Sequence, residues 1–441
     1  MELFSKKKSS GVHPPENKLS SDKKIERADL PRKVTLPLSQ HIGAPAKAIV
    51  KRGDEVKTGQ KIAEAGGFVS VPIHSTVSGE VKKITKTVSA VTSQVVEAVV
   101  IESDGKDEWI DIERPKYHDR LSKEEILELI KEAGIVGLGG ATFPTHVKLQ
   151  PPPDKPIDTI IVNGCECEPY ITSDDRLMIE KGEEILKGLE IMMKVIGCKR
   201  AYIAIEDNKP KAVKKMRSLL SKMNLPGNVA VESLKTQYPL GAEKTLIKRI
   251  LAREVPVGEL PMEVGVVVQN VGTLKAIYDA VYYGRPLIER VVTVTGKVKE
   301  PKNLLSRFGR PARELIDICG GVEDEADVMI FGGPMMGITQ PSFEEPTQKG
   351  TNSILVKKSD KIPESNCIRC GACVESCPMD LMPLIYVHYT KNEFYEELED
   401  YWIDNCVECG SCAYSCPAHI PIVQYIKTGK AELAKLKKGD E

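Results

Sequence analysis

Residues 163–176 read NGCECEPYITSDDR, and what this junction holds decides how the middle of the chain folds. An apolar segment, DTIIVNG at 158–164, runs into it, and a charged stretch of helical period, EKGEEILKGLEIMMKVIG, runs out of it. Cys165 and Cys167 lie two apart among acids, which suggests a metal site. Against that, no further cysteine lies nearby, and a C-x-C pair alone lacks partners.

Working outward, the region from about 118 to 290 alternates in α/β fashion. Short apolar segments at 158–164, 200–207 (RAYIAIED) and 228–234 (NVAVESL) are separated by charged, helix-period stretches such as KPKAVKKMRSLLSKM, which predicts a Rossmann-like sheet with helices on its faces. Ahead of the first strand, KEAGIVGLGGATFPTHVK places Gly137, Gly139 and Gly140 within four residues, followed by Ala141 and Phe143. Glycines bring backbone N–H groups close to a bound anion and suit a phosphate or the edge of a flat ring. An ordinary turn explains such a run about as well.

The sulfur is concentrated elsewhere. Of twelve cysteines, eight form two runs, CIRCGACVESCP from Cys367 and CVECGSCAYSCP from Cys406. Both follow C-x2-C-x2-C-x3-C-P, in which three thiolates on one tight loop hold three corners of an iron-sulfur cubane and the fourth ligates the other cluster. One [4Fe-4S] cluster is therefore assigned to Cys367, Cys370, Cys373 and Cys416, and a second to Cys377, Cys406, Cys409 and Cys412. Two structural zinc sites are the alternative, but zinc needs two C-x2-C doublets and has no use for a repeated third cysteine. Cys198 and Cys319 read as small buried apolar residues. The segment between the runs has apolar residues at helical spacing (Leu384, Val387, Phe394, Leu398), so the cluster module is expected to be mostly helical.

Composition narrows the remaining choices. At 441 residues, two to four domains are expected. Sixty-two basic against 63 acidic residues give no field that recruits nucleic acid, so no nucleic-acid partner is expected. No window reaches the length of a membrane-spanning helix, and the start, MELFSKKKSSGVHPPENK, is too polar for a secretory signal. Residues 1–30 read as a flexible tail and 426–441 as a C-terminal tail.

Order along the chain carries more than any one motif. The glycine loop, then N-x-x-E-x-E-P, then Y-x-x-G-x-E at 238–243, then a strand ending in N-V-x-T-L resembles the flavoprotein subunit of respiratory complex I and its hydrogenase and formate dehydrogenase relatives. That resemblance implies an FMN pocket with NAD(H) stacked on the flavin. Gly137, Gly139, Gly140 and Ala141 would frame the flavin, and Asn163 and Asn270 would hydrogen-bond it. Glu166, Glu168 and Glu243 would be the acids near flavin and nucleotide, and Phe143 would offer an aromatic face. The family's acid two residues after the asparagine is Cys165 here, its glycine between the glutamates is Cys167, and its G-E-E reads Gly241-Ala242-Glu243. No general acid or base is implied for hydride exchange.

Two flanking modules extend the likeness. Residues 31–103 look like the barrel-sandwich fold of lipoyl and biotinyl carriers, but no lysine stands between Lys61 and Lys82 and the hairpin reads Ala65-Gly66-Gly67-Phe68. The module cannot be acylated there, and His74 reads as a packing residue. Residues 288–350 resemble a soluble-ligand-binding β-grasp (SLBB) domain. The fold expected is thus multidomain α+β: barrel-sandwich at 31–103, FMN/NADH α/β domain at 118–287, SLBB at 288–350, and a helical two-cluster ferredoxin-like domain at 355–425. In this order the modules resemble the RnfC component of the Rnf (Rsx) complexes. Membership would imply a peripheral subunit on the cytoplasmic side of the cell membrane, with integral and peripheral partner subunits and ferredoxin as an indirect partner, coupling electron transfer to ion translocation. A soluble reductase of the cobalamin-reductase kind and a flavin-free electron conduit are the rivals.

Overall fold

The structure is a computed structural model that describes residues 11–89, 94–115, 118–359 and 362–439. In its middle, the strands Thr159–Asn163, Arg200–Glu206, Asn228–Leu234 and Val266–Asn270 form an all-parallel sheet. Their spatial order is 228–234, 200–206, 159–163, 266–270. The first and last segments of this unit are therefore neighbours, and the chain order reverses between them. Near-continuous apolar runs such as TIIVN suit strands covered on both sides. Ile160, Val162 and Ile203 share one buried core with Leu186 and Leu189 of the helix Ser173–Ile196 and Leu274 of the helix Val271–Tyr283. The two helices meet at Gly188, where a Cβ would lie 2.0 Å from the Leu274 carbonyl oxygen. Only glycine permits that approach.

The N-terminal module has the two sheets expected of a barrel-sandwich. One holds Lys33–Pro37, Val95–Ser103, Gly79–Val88 and Glu55–Val56, the other Lys47–Ala48, Lys61–Glu64 and Ile73–His74. Val34, Leu36, Ile62, Ile73, Val81 and Ile101 fill the space between them. Phe68 at the hairpin tip is exposed, and His74 is buried as a packing residue.

The β-grasp domain corrects two expected boundaries. Its six-stranded sheet runs on to Ser353–Lys357, beyond residue 350, because that strand pairs parallel with Glu289–Gly296. At one edge of the sheet, Ile25–Arg27 pairs with Lys302–Arg307. Residues 11–30 are accordingly not a flexible tail: they supply an edge strand, a Val12–Tyr238 bridge and a lysine that anchors the central loop. Residues 1–10 lie outside the described residues. The polar composition of the segment hid this, since its hydrogen bonds rather than its apolar surface hold it.

The C-terminal module is helical only in part. The linker between the cysteine runs forms the helix Pro383–Lys391 and then two short 3-10 turns, with Phe394 exposed and Leu398 buried. The expected C-terminal tail is instead the helix Ile422–Gly439, whose Ile426 and Leu433 share a buried core with Tyr386 and Val387. Among the described residues, no helix is long and apolar enough to cross a membrane.

Candidate functional site

Asn163 and Asn270 are register partners at the carboxyl ends of the two strands where the order reverses. A switch point of this kind leaves a crevice beyond the strand ends, where open α/β sheets bind their ligands. The glycine turn lies over the same ends. Gly137 N–H donates to the Phe143 carbonyl (2.9 Å), and Leu138 N–H donates to Thr273 Oγ1 (2.8 Å), which docks the turn on the 271–283 helix. A Cβ on Gly139 would touch the Asn270 Cβ at 3.5 Å, whereas one on Gly140, at φ +119°, would meet nothing within 4 Å. Gly139, Gly140 and Ala141 are exposed at the rim, and Phe143 is half-buried behind them.

Both asparagines are held by the backbone. Asn163 Nδ2 donates to the Gly241 carbonyl (2.8 Å) while its Oδ1 accepts from Cys165 N–H. Asn270 caps the helix that follows it, its Oδ1 accepting from Gly272 N–H and its Nδ2 donating to Asp174 Oδ2 (2.6 Å). Glu166, at φ +48°, folds back over the start of the 173–196 helix and accepts from the Asp174 and Asp175 N–H groups. Glycine turn, both asparagines and Glu166 therefore stand together. Glu243 opens the helix Glu243–Leu251, two residues after the Gly241 carbonyl that Asn163 bonds, and pairs with Lys148 (2.9 Å).

Glu168 is placed differently from its neighbour. Its carboxylate turns to the β-grasp domain and accepts from Met335 N–H (3.1 Å) and Met336 N–H (2.8 Å), with the Tyr238 hydroxyl at 3.5 Å. Burial pushes its carboxyl up to about 7. The same cause, reinforced by Glu166, pushes Asp174 up to about 7 and Asp175 to about 6. A solvent-open hollow, about 480 Å³ with its mouth included, is bounded by Asp174, Leu138, Gly272, Lys275, Glu289 and Arg290. The Arg290 guanidinium, buried there, donates to the Leu138 carbonyl (3.0 Å) and so steadies the glycine turn from below.

The N-terminal segment supplies a residue that sequence reasoning missed. Lys18 Nζ donates to the carbonyls of Glu166 (2.9 Å), Glu168 (2.8 Å) and Ile171 (2.7 Å). It clamps the loop from a position 148 residues away in the chain. Asp174, Arg290 and Tyr238 were missed as well; only Asp174 and Tyr238 stood within the quoted motifs.

Cys165 is buried, with its thiol donating to the Ala204 carbonyl (3.8 Å), and Cys167 Sγ accepts from Gly241 N–H (3.3 Å), so both sulfurs are engaged by the backbone of neighbouring segments. Cys198 and Cys319 are buried.

The two cysteine runs form a second centre. A solvent-open hollow, about 350 Å³ with its mouth included, is lined by Cys377, Cys406, Cys409 and Cys412, the four assigned to one cluster by the crossed pattern. Cys373 and Cys416 pack against the same hydrophobic core, while Cys367 and Cys370 are exposed. Gly371 and Gly410, at φ +78° and +81°, turn the two loops in the same way. Among the described residues no three His, Cys, Asp or Glu side chains are arranged to hold a single metal ion. The thiols frame a space instead, which fits a cubane whose four irons each take one thiolate.

Thr142 Oγ1 in the glycine turn is buried without a hydrogen-bond partner, as are Asp175 Oδ1, next to Asp174 in the chain, and Gln269 Nε2, next to Asn270. Orphaned polar atoms of this kind fit a site that takes a polar ligand. Glu166, Thr142 and Tyr170 all have positive φ (48°, 50° and 70°), and strained backbone of this kind concentrates at binding sites.

Comparison with known proteins agrees with this division. Residues 130–279 match the Nuo51 FMN-binding domain, 6–106 the RnfC barrel sandwich hybrid domain, 291–339 the SLBB domain and 366–420 the 4Fe-4S dicluster domain. FMN and iron-sulfur clusters are thus the cofactors of the chain. The chain is 48% identical over 429 residues to the C component of the proton-translocating ferredoxin:NAD(+) oxidoreductase complex of Clostridium ljungdahlii, covering 96% of this chain and 93% of that protein. It is 44% identical to the C component of the Na(+)-translocating ferredoxin:NAD(+) oxidoreductase complex of Acetobacterium woodii, over 88% of each. An air-oxidized NAD+-reducing [NiFe]-hydrogenase shares the fold, with a TM-score of 0.50 at 18% identity over 74% of this chain and 67% of that one.

Proposed function

We propose, from the premise that this chain belongs to the RnfC family of ion-translocating ferredoxin:NAD(+) oxidoreductase complexes, that it is the peripheral electron-transfer subunit through which NAD(H) exchanges electrons with such a complex. Its partners are the other subunits, with ferredoxin reached through them, on the cytoplasmic face of the membrane. The observation that carries the reading is the pairing of Asn163 with Asn270 at the switch point beneath the glycine turn.

Gly137, Gly139, Gly140 and Ala141 frame the FMN, with Phe143 behind them. Asn163 and Asn270 present their amides beside it, and Glu166 borders it. Glu243, paired with Lys148 further along, serves the nicotinamide side. Glu168 is reassigned: its hydrogen bonds to Met335 and Met336 make it a link to the β-grasp domain. Bound FMN supplies two-electron exchange with the nicotinamide and one-electron exchange with the clusters. The residues of this chain hold the two ring systems in register and keep the loop fixed. Cys367, Cys370, Cys373 and Cys416 ligate one [4Fe-4S] cluster, and Cys377, Cys406, Cys409 and Cys412 the other.

The test is anaerobic titration of the purified subunit with NADH, following flavin bleaching and cluster signals together. Both should change in the same titration. Cluster absorbance with no flavin would overturn the reading in favour of a bare electron conduit, and failure of the native protein to co-purify with membrane subunits from its own cells would favour a soluble reductase.

A further inference from the structure

The two cysteine loops share a sequence pattern but not an environment. In the first, Cys367 and Cys370 are exposed and Ile368 between them is 68% exposed. In the second, Cys409 is buried in a small cluster with Val12 and Tyr238, and Cys167, Met335 and Val407 pack around it. Val407 is the counterpart of Ile368 in the repeated pattern. A Cβ on Gly410 would lie 2.8 Å from the Met335 carbonyl oxygen, so this loop is pressed against the body of the protein.

A continuous set of contacts joins that loop to the flavin pocket. Asn163 Nδ2 donates to the Gly241 carbonyl, and Gly241 N–H donates to Cys167 Sγ (3.3 Å). Cys167 packs in the cluster that contains Cys409. Beside it, the Tyr238 hydroxyl donates to the Cys409 carbonyl oxygen at 2.6 Å in a fully buried bond.

We propose that the cluster held by Cys377, Cys406, Cys409 and Cys412 is the first electron station next to the flavin, and that Tyr238 is the positioning residue that fixes it there. This rests on the proposed function. The cluster on the exposed loop is then the exchange point with a partner protein that itself carries a one-electron centre. Each NADH releases two electrons and one proton as it becomes NAD+, and each cluster accepts one electron, so one NADH reduces both.

Three variants of the full-length, cluster-reconstituted chain test this. Tyr238→Phe keeps the ring and removes only the hydroxyl. A positional shift of about 1 Å can cost up to ~100-fold in rate, so stopped-flow reduction of the clusters by NADH should slow ~10-fold or more relative to flavin bleaching in the same trace. In EPR-monitored titration the midpoint potential of one cluster alone should shift, since the hydroxyl dipole beside its ligand loop is lost; a merely structural defect would disturb both. Cys409→Ser and Cys370→Ser then set the order. With Cys409→Ser the remaining cluster should be reduced by dithionite but not by NADH, and with Cys370→Ser the remaining cluster should be reduced by both. The reverse pattern, or a Tyr238→Phe cluster phase within twofold of wild type, overturns the proposal. Loss of flavin bleaching in the unmodified chain would overturn the proposed function instead.

Discussion

Replacing Lys18 by methionine tests how the central loop is held. The ammonium group donates to three carbonyls of the 166–171 loop, and burial lowers its pKa. A hydrogen bond to a charged group contributes about 1.5–3 kcal/mol, but losing the lysine also removes its desolvation cost. The freed carbonyls can turn to water at this partly exposed segment. A net loss of about 2–4 kcal/mol follows for the loop. Hydrogen exchange reads this locally. The amides of 165–171, including Tyr170 N–H, which donates to the Glu16 carbonyl, should exchange ~30- to 1,000-fold faster in Lys18→Met. FMN should be lost on gel filtration, and Lys18→Arg should restore part of both. Exchange accelerated less than threefold, with FMN fully retained, would show that the loop holds itself and refute the reasoning.

Gly188→Ala should destabilise the α/β domain by about 1–3 kcal/mol despite alanine's better helix propensity, because its Cβ meets the Leu274 backbone; a rise in the denaturation midpoint would refute the close crossing. Asp174, pushed up to about 7, stays protonated in the folded chain while an unfolded one ionises near pH 4. Its contribution to stability is therefore present below pH 4 and declines as pH rises to about 7. Asp174→Asn should accordingly gain stability over wild type progressively across that window in parallel denaturant titrations, and a constant offset would contradict it. Crossed ligation makes Cys377→Ser and Cys412→Ser remove the same EPR signal and Cys416→Ser the other; matching spectra for Cys377→Ser and Cys373→Ser would rule it out.

Much of the fold was legible where physical chemistry acts locally. Three apolar runs of the α/β domain stand within a residue of the observed strands, because strands covered on both sides leave a continuous hydrophobic signature; the fourth, expected to end in N-V-x-T-L, stops at Asn270, where the helix Val271–Tyr283 begins. The crossed cysteine pattern was readable because ligand spacing is a local constraint. What escaped is non-local. Lys18 and Arg290 each look like one more surface charge, and only the packed structure places them against carbonyls of distant loops. Glu168 was read with Glu166 as the paired acids of the family's E-x-E-P, yet the two carboxylates part, one to its own helix and one to the β-grasp domain.

The edge strand Ile25–Arg27 has a consequence for how the protein is made. Its partner, Asn303–Leu305, is nearly three hundred residues further on. At synthesis rates of about 5–20 residues per second, the segment waits roughly 15–60 s before the strand it pairs with exists. Lys18 and Val12 wait for loops and turns between those points. This segment leaves the ribosome long before its partners exist, and its polar, lysine-containing composition keeps it soluble and unpaired during the delay.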